Sequence, residues 1–242
     1  MPERKIEKLP PQVYNNCDMV KTLFHGSPKI VEKPELSYSK LNDDFGRGIY
    51  LSEDSDFAKE CAVSYKHNGY LNKYYLELEG LNVLDLTAKP NNLLNWMALV
   101  LSNRLFCLFS GLSLRGKEYL LNNYLPDIRR YDVIIGYAAD ISAFTFIQEF
   151  LEGKTSYQQL KKSIREANLP KQVVIIDDIA LDRLSFIGVE SVSYQPYYRL
   201  KQIRDENLRA VYFKEKTKFN RKNDLYIDIF INEEVGENDK RL

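Results

Sequence analysis

The spacing of apolar residues predicts short β-strands near both ends of the chain. Between residues 73 and 79, Tyr74, Leu76 and Leu78 alternate with polar or amphipathic residues, a period of two that is typical of a half-buried strand. Short β-branched or apolar runs next to turn residues predict the other strands. The predicted strands cover residues 21–24, 49–51, 73–79, 132–135, 172–176, 184–187 and 225–231.

A spacing of three to four residues predicts amphipathic helices in the middle of the chain. Phe57, Ala58 and Cys61 follow a run of capping residues at helical spacing. Thr155 and Gln158 form a predicted capping box at the start of a later helix. The predicted helices cover residues 55–66, 91–109, 115–124, 140–151 and 156–167.

This order of elements favours an α+β fold with a mainly antiparallel sheet and flanking helices. Strands come early and late, without the regular βαβ rhythm of a doubly wound fold. The Gly46-Arg47-Gly48 loop lacks the GxGxxG spacing and leads into a strand, which excludes a Rossmann site there. We divide the chain into an N-terminal extension (1–20), a main domain (21–190) and a C-terminal appendage (191–242).

Composition and charge narrow the class of protein. The 242 residues include 34 Lys plus Arg and 34 Asp plus Glu, so bulk electrostatic attraction to nucleic acid is not expected. Three dispersed cysteines and two histidines lack the spacing of a closed zinc site, and we expect no metal. The longest uncharged run, 90–103, is too short and too polar to span a bilayer. We therefore expect a cytoplasmic protein with no membrane partner.

Three short signals at strand boundaries stand out, because no nucleophile motif such as GxSxG is present. They are Leu23-Phe24-His25-Gly26-Ser27, Asp43-Asp44-Phe45-Gly46-Arg47-Gly48-Ile49-Tyr50-Leu51-Ser52 and Lys171-Gln172-Val173-Val174-Ile175. In order and spacing they resemble a bacterial branch of the ADP-ribosyltransferase superfamily, once catalogued as a domain of unknown function. Residues 131–140, together with Trp96 and Asn103-Arg104, resemble the same branch, so the resemblance covers about residues 20–188.

The resemblance implies a split antiparallel β-sheet whose cleft binds NAD as a substrate. It implies that His25 holds the adenosine-side ribose and that the backbone of Gly26 grips the nicotinamide carboxamide. Tyr50 would stack on the nicotinamide ring, and Gln172 would take the third position, which bonds the nicotinamide-side ribose. Four neighbouring residues complete the predicted NAD-binding set: Ser27, Asp44, Arg47 and Gly48.

The residue types suit this chemistry independently of the family. Cleavage of the nicotinamide–ribose bond passes through an oxocarbenium-like transition state, so the site needs positioning and a ribose hydrogen bond more than a strong nucleophile. Glycine beside His25 lets backbone amides approach a ligand closely. Tyr50 supplies a ring face and a polar tip.

Gln172 departs from the superfamily's His–Tyr–Glu signature, because a neutral amide cannot place negative charge near the developing cation. An amide still donates and accepts hydrogen bonds. Loss of a charge-assisted contact costs a few kcal/mol, on the order of 10²-fold in rate. A nearby carboxylate could substitute, and Asp140 and Asp44 are the candidates.

We therefore predict an NAD-dependent mono-ADP-ribosyltransferase that acts inside a bacterial cell as a toxin or regulator. Its acceptor is a macromolecule, a protein or a nucleic acid, and an antitoxin or regulator is a possible partner. One alternative is a catalytically inactive NAD- or nucleotide-binding module, with Gln172 as the mark of lost chemistry. Another is a nucleic-acid-targeting protein, because basic and aromatic residues interleave over 199–222.

Each candidate also has a purely structural interpretation. His25 could be a structural hydrogen-bonding residue, Tyr50 a core tyrosine and Gln172 an exposed edge residue. Arg47 could be a solvated loop charge, and Asp140 the N-cap of the helix that follows.

Overall fold

The computed structural model of the protein describes residues 20–139, 141–218 and 222–242. The strands are β1 (Val20–Ser27), β2 (Ile49–Leu51), β3 (Gly69–Glu77), β4 (Val83–Asp85), β5 (Val133–Tyr137), β6 (Lys171–Ile175) and β7 (Leu184–Val192). The helices are α1 (Ser55–Ala62), α2 (Leu93–Asn103), α3 (Gly111–Tyr124), α4 (Ile141–Leu151), α5 (Tyr157–Glu166), α6 (Asp178–Leu181), α7 (Tyr194–Lys216) and α8 (Ile227–Asn232).

The strands form two open sheets, which confirms the predicted α+β class with mostly antiparallel pairing. Sheet A has the strand order β1-β3-β7, and sheet B has the order β2-β6-β5-β4. Strands β4 and β5 run parallel, and the other paired strands are antiparallel. A bridge between Phe24 and Ser52 connects the edge of sheet A to the edge of sheet B.

Alternation along the strands of sheet B separates two hydrophobic clusters. One face carries Val173 and Ile175, which pack with Leu23 and Tyr74 of sheet A, so apolar side chains fill the space between the sheets. The opposite face carries Ile134 and Val174, which pack against the helices. The larger cluster draws residues from α2, α3, α4, α5, α7 and α8. Sheet B is thus covered on both faces.

Element boundaries differ from the predictions where tertiary contacts extend or end an element. Strand β1 continues through His25 to Ser27 because these residues pair with β3. The helix predicted over 91–109 ends at Asn103, where the backbone of Arg104 becomes extended. The capping box of α5 is formed by Ser156 and Gln159, one residue later than the predicted Thr155 and Gln158.

The strand predicted over 225–231 is wrong, because Ile227–Asn232 forms helix α8. Almost every residue of this run is apolar, so a period of two cannot be distinguished from a helical period. In the helix, Ile227 and Phe230 lie three residues apart on one face and are both buried in the large cluster. Tertiary packing therefore decides the conformation of this segment.

The described residues beyond 190, expected to be an appendage, pack into the same core as the helices of the main domain. Leu208 and Tyr212 of α7, Phe230 of α8 and Val235 are at most 2% exposed and belong to the large cluster. Residues 1–19 of the predicted N-terminal extension lie outside the described residues. Within the described ranges, no helix combines the length and apolar character needed to cross a membrane.

Candidate functional site

The candidate site lies where the two sheets separate. The Phe24 amide donates to the Ser52 carbonyl at 2.8 Å, and the Ser52 amide donates back at 2.9 Å. Backbone groups two residues apart face the same side of a strand, so those of Gly26 also point away from β3 toward β2. Antiparallel register sets Tyr50 opposite Gly26, and within the described residues no backbone hydrogen bond joins the two. The sheet is thus split at these residues.

His25 is tied to the opposite side of the split through its ring. Its Nδ1 lies 2.8 Å from the carbonyl oxygen of Tyr50. A carbonyl only accepts, so Nδ1 carries the proton, and Nε2 of the neutral ring has a lone pair left to accept a hydrogen bond. Burial lowers the pKa of His25, against the opposing effect of the Tyr50 hydrogen bond. The neutral ring is therefore the favoured form.

Buried Asn72 positions the backbone around His25. The Asn72 amide nitrogen donates to the carbonyls of His25 and Lys29, both at 3.2 Å, and its oxygen accepts from the Val31 amide at 2.8 Å. Sequence reasoning missed this residue. The available signal was an amide side chain between Leu71 and Lys73, just before the predicted strand.

Gly26 has a packing requirement of its own. A Cβ placed on Gly26 would lie 1.8 Å from the carbonyl oxygen of Ala58 and 2.7 Å from the amide nitrogen of Ala62. Helix α1 can approach β1 this closely only because Gly26 has no side chain. One wall of the split is therefore α1 packed directly on the strand.

Tyr50 holds the loop that precedes β2. Its hydroxyl accepts from the Phe45 amide at 2.9 Å and donates to the Gly46 carbonyl at 2.8 Å. Burial strongly raises the pKa of Tyr50, so the hydroxyl remains protonated and can donate. The Phe45 and Tyr50 rings are stacked, with centroids 6.4 Å apart. Tyr50 is thus half-buried and fixed at both its ring and its hydroxyl.

Glycines let the same loop pack tightly against sheet B. Phe45 lies over Gly136 of β5, where a Cβ would come within 2.4 Å of the Phe45 ring. Gly46 has a φ of +80°, a left-handed conformation that favours glycine. Gly48 lies against Val174, where a Cβ would meet the side chain at 2.5 Å. Residues 43–48 therefore form a rigid loop.

This loop brings Asp44 to Gln172, although 128 residues separate them in the chain. The Gln172 Nε2 donates to the Asp44 Oδ2 at 3.0 Å, and the Ala139 amide donates to the same oxygen at 2.8 Å. Burial raises the pKa of Asp44, and the hydrogen bonds from Ala139 and Gln172 and the charge of Arg104 oppose that rise. Asp44 is thus the carboxylate that the structure sets beside Gln172.

Arg104, the residue that follows α2, completes this cluster. Its Nη1 lies 3.2 Å from the Asp44 Oδ1, and its guanidinium lies over the Phe144 ring, 5.6 Å from the centroid. The sequence signal for Arg104 as a site residue was its position directly after Asn103, in one of the segments that carried the family resemblance. Arg104 neutralises much of the charge that Asp44 brings into the interior.

Two predicted site residues, Ser27 and Arg47, make none of these contacts. Ser27 is buried, and its hydroxyl accepts from the Lys29 amide at 3.2 Å. Arg47 is exposed, and among the described residues it has no ion pair or side-chain hydrogen bond. Asp140 lies outside the described residues.

Helix α7 connects the two walls that flank the split. On one side, Arg204 donates to Glu60 of α1 at 2.7 Å. On the other, Asp205 accepts a hydrogen bond from Ser142 of α4, and Arg209 donates to the same hydroxyl at 2.8 Å. Ser142 lies three residues after Ala139, which bonds Asp44. The C-terminal part of the chain therefore helps to hold the site together.

Within the described residues, no group of three or more metal-ligating side chains is close enough to hold an ion. Two cavities, of about 460 and 430 Å³, lie beside α5, and their linings do not include His25, Tyr50 or Gln172.

Comparison with known proteins identifies one family whose model matches this chain. A family model described as "Protein of unknown function (DUF3990)" matches residues 21–186. The match runs from β1 into β7, so it includes the three segments that form the split, and α7 and α8 lie beyond it. No curated protein and no solved structure matches the chain.

Proposed function

The chain belongs to the DUF3990 family, and from the resemblance of its sequence motifs and the geometry of the split we propose that it is an NAD-dependent mono-ADP-ribosyltransferase. Its acceptor is a macromolecule of the cytoplasm, and its role is that of a toxin or regulator controlled by a partner. The observation that carries the proposal is the convergence of His25, Tyr50 and Gln172, from three separate segments, around a split between two sheets.

The split provides groups suited to each part of NAD. The neutral His25 ring leaves Nε2 free to accept from a ribose hydroxyl, because Nδ1 is bound to the Tyr50 carbonyl. The backbone of Gly26 faces the split and suits a carboxamide, which needs one donor and one acceptor. Tyr50 offers the ring face, and its fixed hydroxyl keeps that ring in place.

The hydrogen bond to Asp44 fixes the orientation of the Gln172 amide and leaves one of its two polar atoms for a ligand. Since Nε2 donates to Asp44, Oε1 is the atom left for a ligand, and it makes no hydrogen bond within the described residues. The amide oxygen can then accept from the ribose hydroxyl, as a carboxylate would. Gln172 thereby replaces the hydrogen-bond role of glutamate, though not its charge.

The proposed reaction is a substitution at the ribose carbon of NAD. The bond from this carbon to the nicotinamide nitrogen breaks, and its electron pair leaves with nicotinamide. A nucleophilic atom of the acceptor forms the new bond to the carbon and releases its proton to a base. Asp44 suits the role of base, because burial raises the pKa of its carboxyl.

The direct test uses NAD labelled in the adenylate, incubated with the full chain and a cell lysate. We expect nicotinamide release and label in a macromolecular fraction, and digestion by protease or by nuclease identifies the acceptor class. Absence of both nicotinamide release and labelled macromolecule would overturn the proposal.

Gln172 variants test the site. Gln172→Ala should lower transfer by about 10²-fold, because the ribose hydrogen bond is lost, with little change in NAD affinity. The matched control is Gln202→Ala on α7, an exposed glutamine without a side-chain partner among the described residues. Equal transfer rates for the Gln172 and Gln202 variants would remove Gln172 from the site.

An NAD-binding module without transferase activity is the second candidate, favoured by one observation. Asp44 already accepts hydrogen bonds from Gln172, Ala139 and Arg104, so its charge is largely neutralised and offers less to a developing cation. Calorimetry separates the two functions: NAD binding without nicotinamide release identifies the module.

Four of the nine basic residues between 199 and 222 are neutralised within the protein, which weakens the case for a nucleic-acid-binding function of this stretch. Arg204, Arg209, Lys216 and Lys218 all form ion pairs with carboxylates of the protein. Cations neutralised in this way contribute less to phosphate binding.

A further inference from the structure

The two cavities beside α5 adjoin each other and share three lining residues. The larger, of about 460 Å³, lies between the start of α2, helix α5 and the C-terminal residues. The smaller, of about 430 Å³, lies at the ends of β2 and β5 and the start of β6. Both are lined by Tyr137, Ile164 and Arg165. We call the two cavities together the α5 groove.

The acidic residues of the α5 groove are all engaged within the protein. In the smaller cavity, Glu53 pairs with Lys21 at 2.7 Å, and Asp54 caps α1 by accepting from two backbone amides. In the larger cavity, Glu237 accepts from Asn95 at 3.0 Å, and Asp239 pairs with Arg241 at 2.7 Å. These acids therefore offer little to a cationic ligand.

The cations of the smaller cavity are not engaged. Arg165 and Lys171 are exposed, and neither side chain has an ion pair or hydrogen bond with any described residue. Neither charge is paired with a described carboxylate, so both side chains are available to an anionic ligand. The planar guanidinium of arginine suits bidentate binding of phosphate.

From the volumes, the lining and the free charges, we propose that the α5 groove binds a nucleotide. Arg165 and Lys171 hold the phosphate, and the base lies against Tyr137 and Ile164. Each cavity volume falls in the range of about 300–1,000 Å³ typical of small-molecule sites and far exceeds that of a phosphate ion alone. The source is either a free nucleotide or a nucleic-acid strand.

The groove is separate from the candidate NAD site. Lys171 precedes Gln172 on β6, so the two side chains point to opposite faces of sheet B. Variants of Arg165 therefore test the groove without altering His25, Tyr50 or Gln172.

The protein's single tryptophan reports on the groove. Trp96 is buried, its Nε1 donates to the Tyr137 carbonyl at 2.8 Å, and the two rings meet edge to face with centroids 6.0 Å apart. A base bound against Tyr137 should change the fluorescence of Trp96. This readout does not depend on enzymatic activity.

The experiment titrates the full chain with AMP, inorganic phosphate or a single-stranded hexanucleotide and follows tryptophan fluorescence and heat. AMP should bind at least tenfold more tightly than inorganic phosphate, and Arg165→Gln should weaken AMP binding at least tenfold. The control is Arg115→Gln on α3, because Arg115 is exposed, lies outside both cavities and has no side-chain partner among the described residues. The AMP affinity of this variant should stay within twofold of wild type. Tighter binding of the hexanucleotide identifies a strand as the source, and equal binding a free nucleotide.

His25→Ala separates this proposal from the proposed NAD site. AMP binding that survives His25→Ala but falls in Arg165→Gln supports the groove, whether or not the protein cleaves NAD. The proposal is overturned if AMP fails to bind, if inorganic phosphate binds as tightly as AMP, or if Arg165→Gln and Arg115→Gln bind AMP equally. AMP binding abolished by His25→Ala alone would assign the nucleotide to the split instead.

Discussion

The candidate site and the α5 groove are built from different residues, and their polar groups are arranged differently. In the candidate site, Asp44, Gln172 and Tyr50 all bond to other parts of the protein. In the groove, the side chains of Arg165 and Lys171 bond to no described residue. The first arrangement fixes side chains in place before a ligand arrives, and the second leaves charge for a ligand to neutralise. Substitutions should therefore affect stability at the site and affinity at the groove.

Asp44→Ala should have the largest effect on stability. It leaves the Ala139 amide and the Gln172 amide without their acceptor and removes the partner of Arg104. We expect a loss of about 2–4 kcal/mol in the free energy of unfolding, measured by urea denaturation. Asp43→Ala is the control, since only its backbone is bonded among the residues that the structure describes, and it should change stability by no more than about 0.5 kcal/mol. Equal effects of the two substitutions would contradict the role given to Asp44.

Gly26→Ala should have the next largest effect, because its Cβ would lie 1.8 Å from a backbone oxygen of α1. The helix must move away from β1, at a cost of about 1–3 kcal/mol. Gly111→Ala provides the comparison, since nothing lies within 4 Å of a Cβ there. Thermal unfolding of both variants checks the prediction, and an unchanged midpoint for Gly26→Ala would show that α1 is not held against the strand.

Tyr50→Phe separates the hydroxyl of the site tyrosine from its ring. Loss of the bonds to Phe45 and Gly46 should cost about 1–2 kcal/mol of stability, while the ring face remains for NAD. Tyr38→Phe, at an 84% exposed tyrosine, should cost nothing measurable. If Tyr50→Phe were as stable as wild type, packing and the bonds of Asp44 would hold the loop at 43–48 without the Tyr50 hydroxyl.

The sequence contained enough information to predict the two strands that border the split. The Phe-His-Gly-Ser and Gly-Arg-Gly-Ile-Tyr segments mark strand boundaries through local turn chemistry, and β1 and β2 lie there. The pairing of Asp44 with Gln172 could not be predicted, because it depends on how Phe45 packs against Gly136, far along the chain.

The roles of Asn72 and of the C-terminal segment were also beyond sequence reasoning. A single amide side chain in a strand produces no periodic sequence pattern. Asn72 is important because the fold places three backbone groups within hydrogen-bonding distance of its side chain. The strand prediction at α8 was wrong for a different reason. The almost continuous apolar run fits either a strand period or a helix period, and the burial of Phe230 against the other helices selects the helix.

The pH dependence of stability should show a small effect of His25. Its pKa is lowered in the folded protein, so the unfolded chain binds a proton first as pH falls. The stabilisation is complete above about pH 6.5 and is lost as pH falls toward the folded-state pKa, by at most about 1.4 kcal/mol per pH unit. Denaturation of wild type and His25→Ala between pH 5 and pH 8 isolates this contribution, since other groups cancel in the difference. A difference that does not vary with pH would mean that His25 is not shielded from water.

Arg165→Gln should have the smallest effect on stability, and this near-zero result sharpens the comparison most. The Arg165 side chain makes no hydrogen bond or ion pair with described residues, so its replacement should change the free energy of unfolding by less than about 0.5 kcal/mol. The same substitution should weaken AMP binding at least tenfold. No substitution in the candidate site is expected to combine so large a loss of AMP affinity with so small a change in stability. A loss of more than about 1 kcal/mol in urea denaturation would place Arg165 among the groups that hold the fold, because free surface charges rarely contribute that much. The distinction between a site fixed by internal bonds and a groove with uncompensated charge would then fail at the groove.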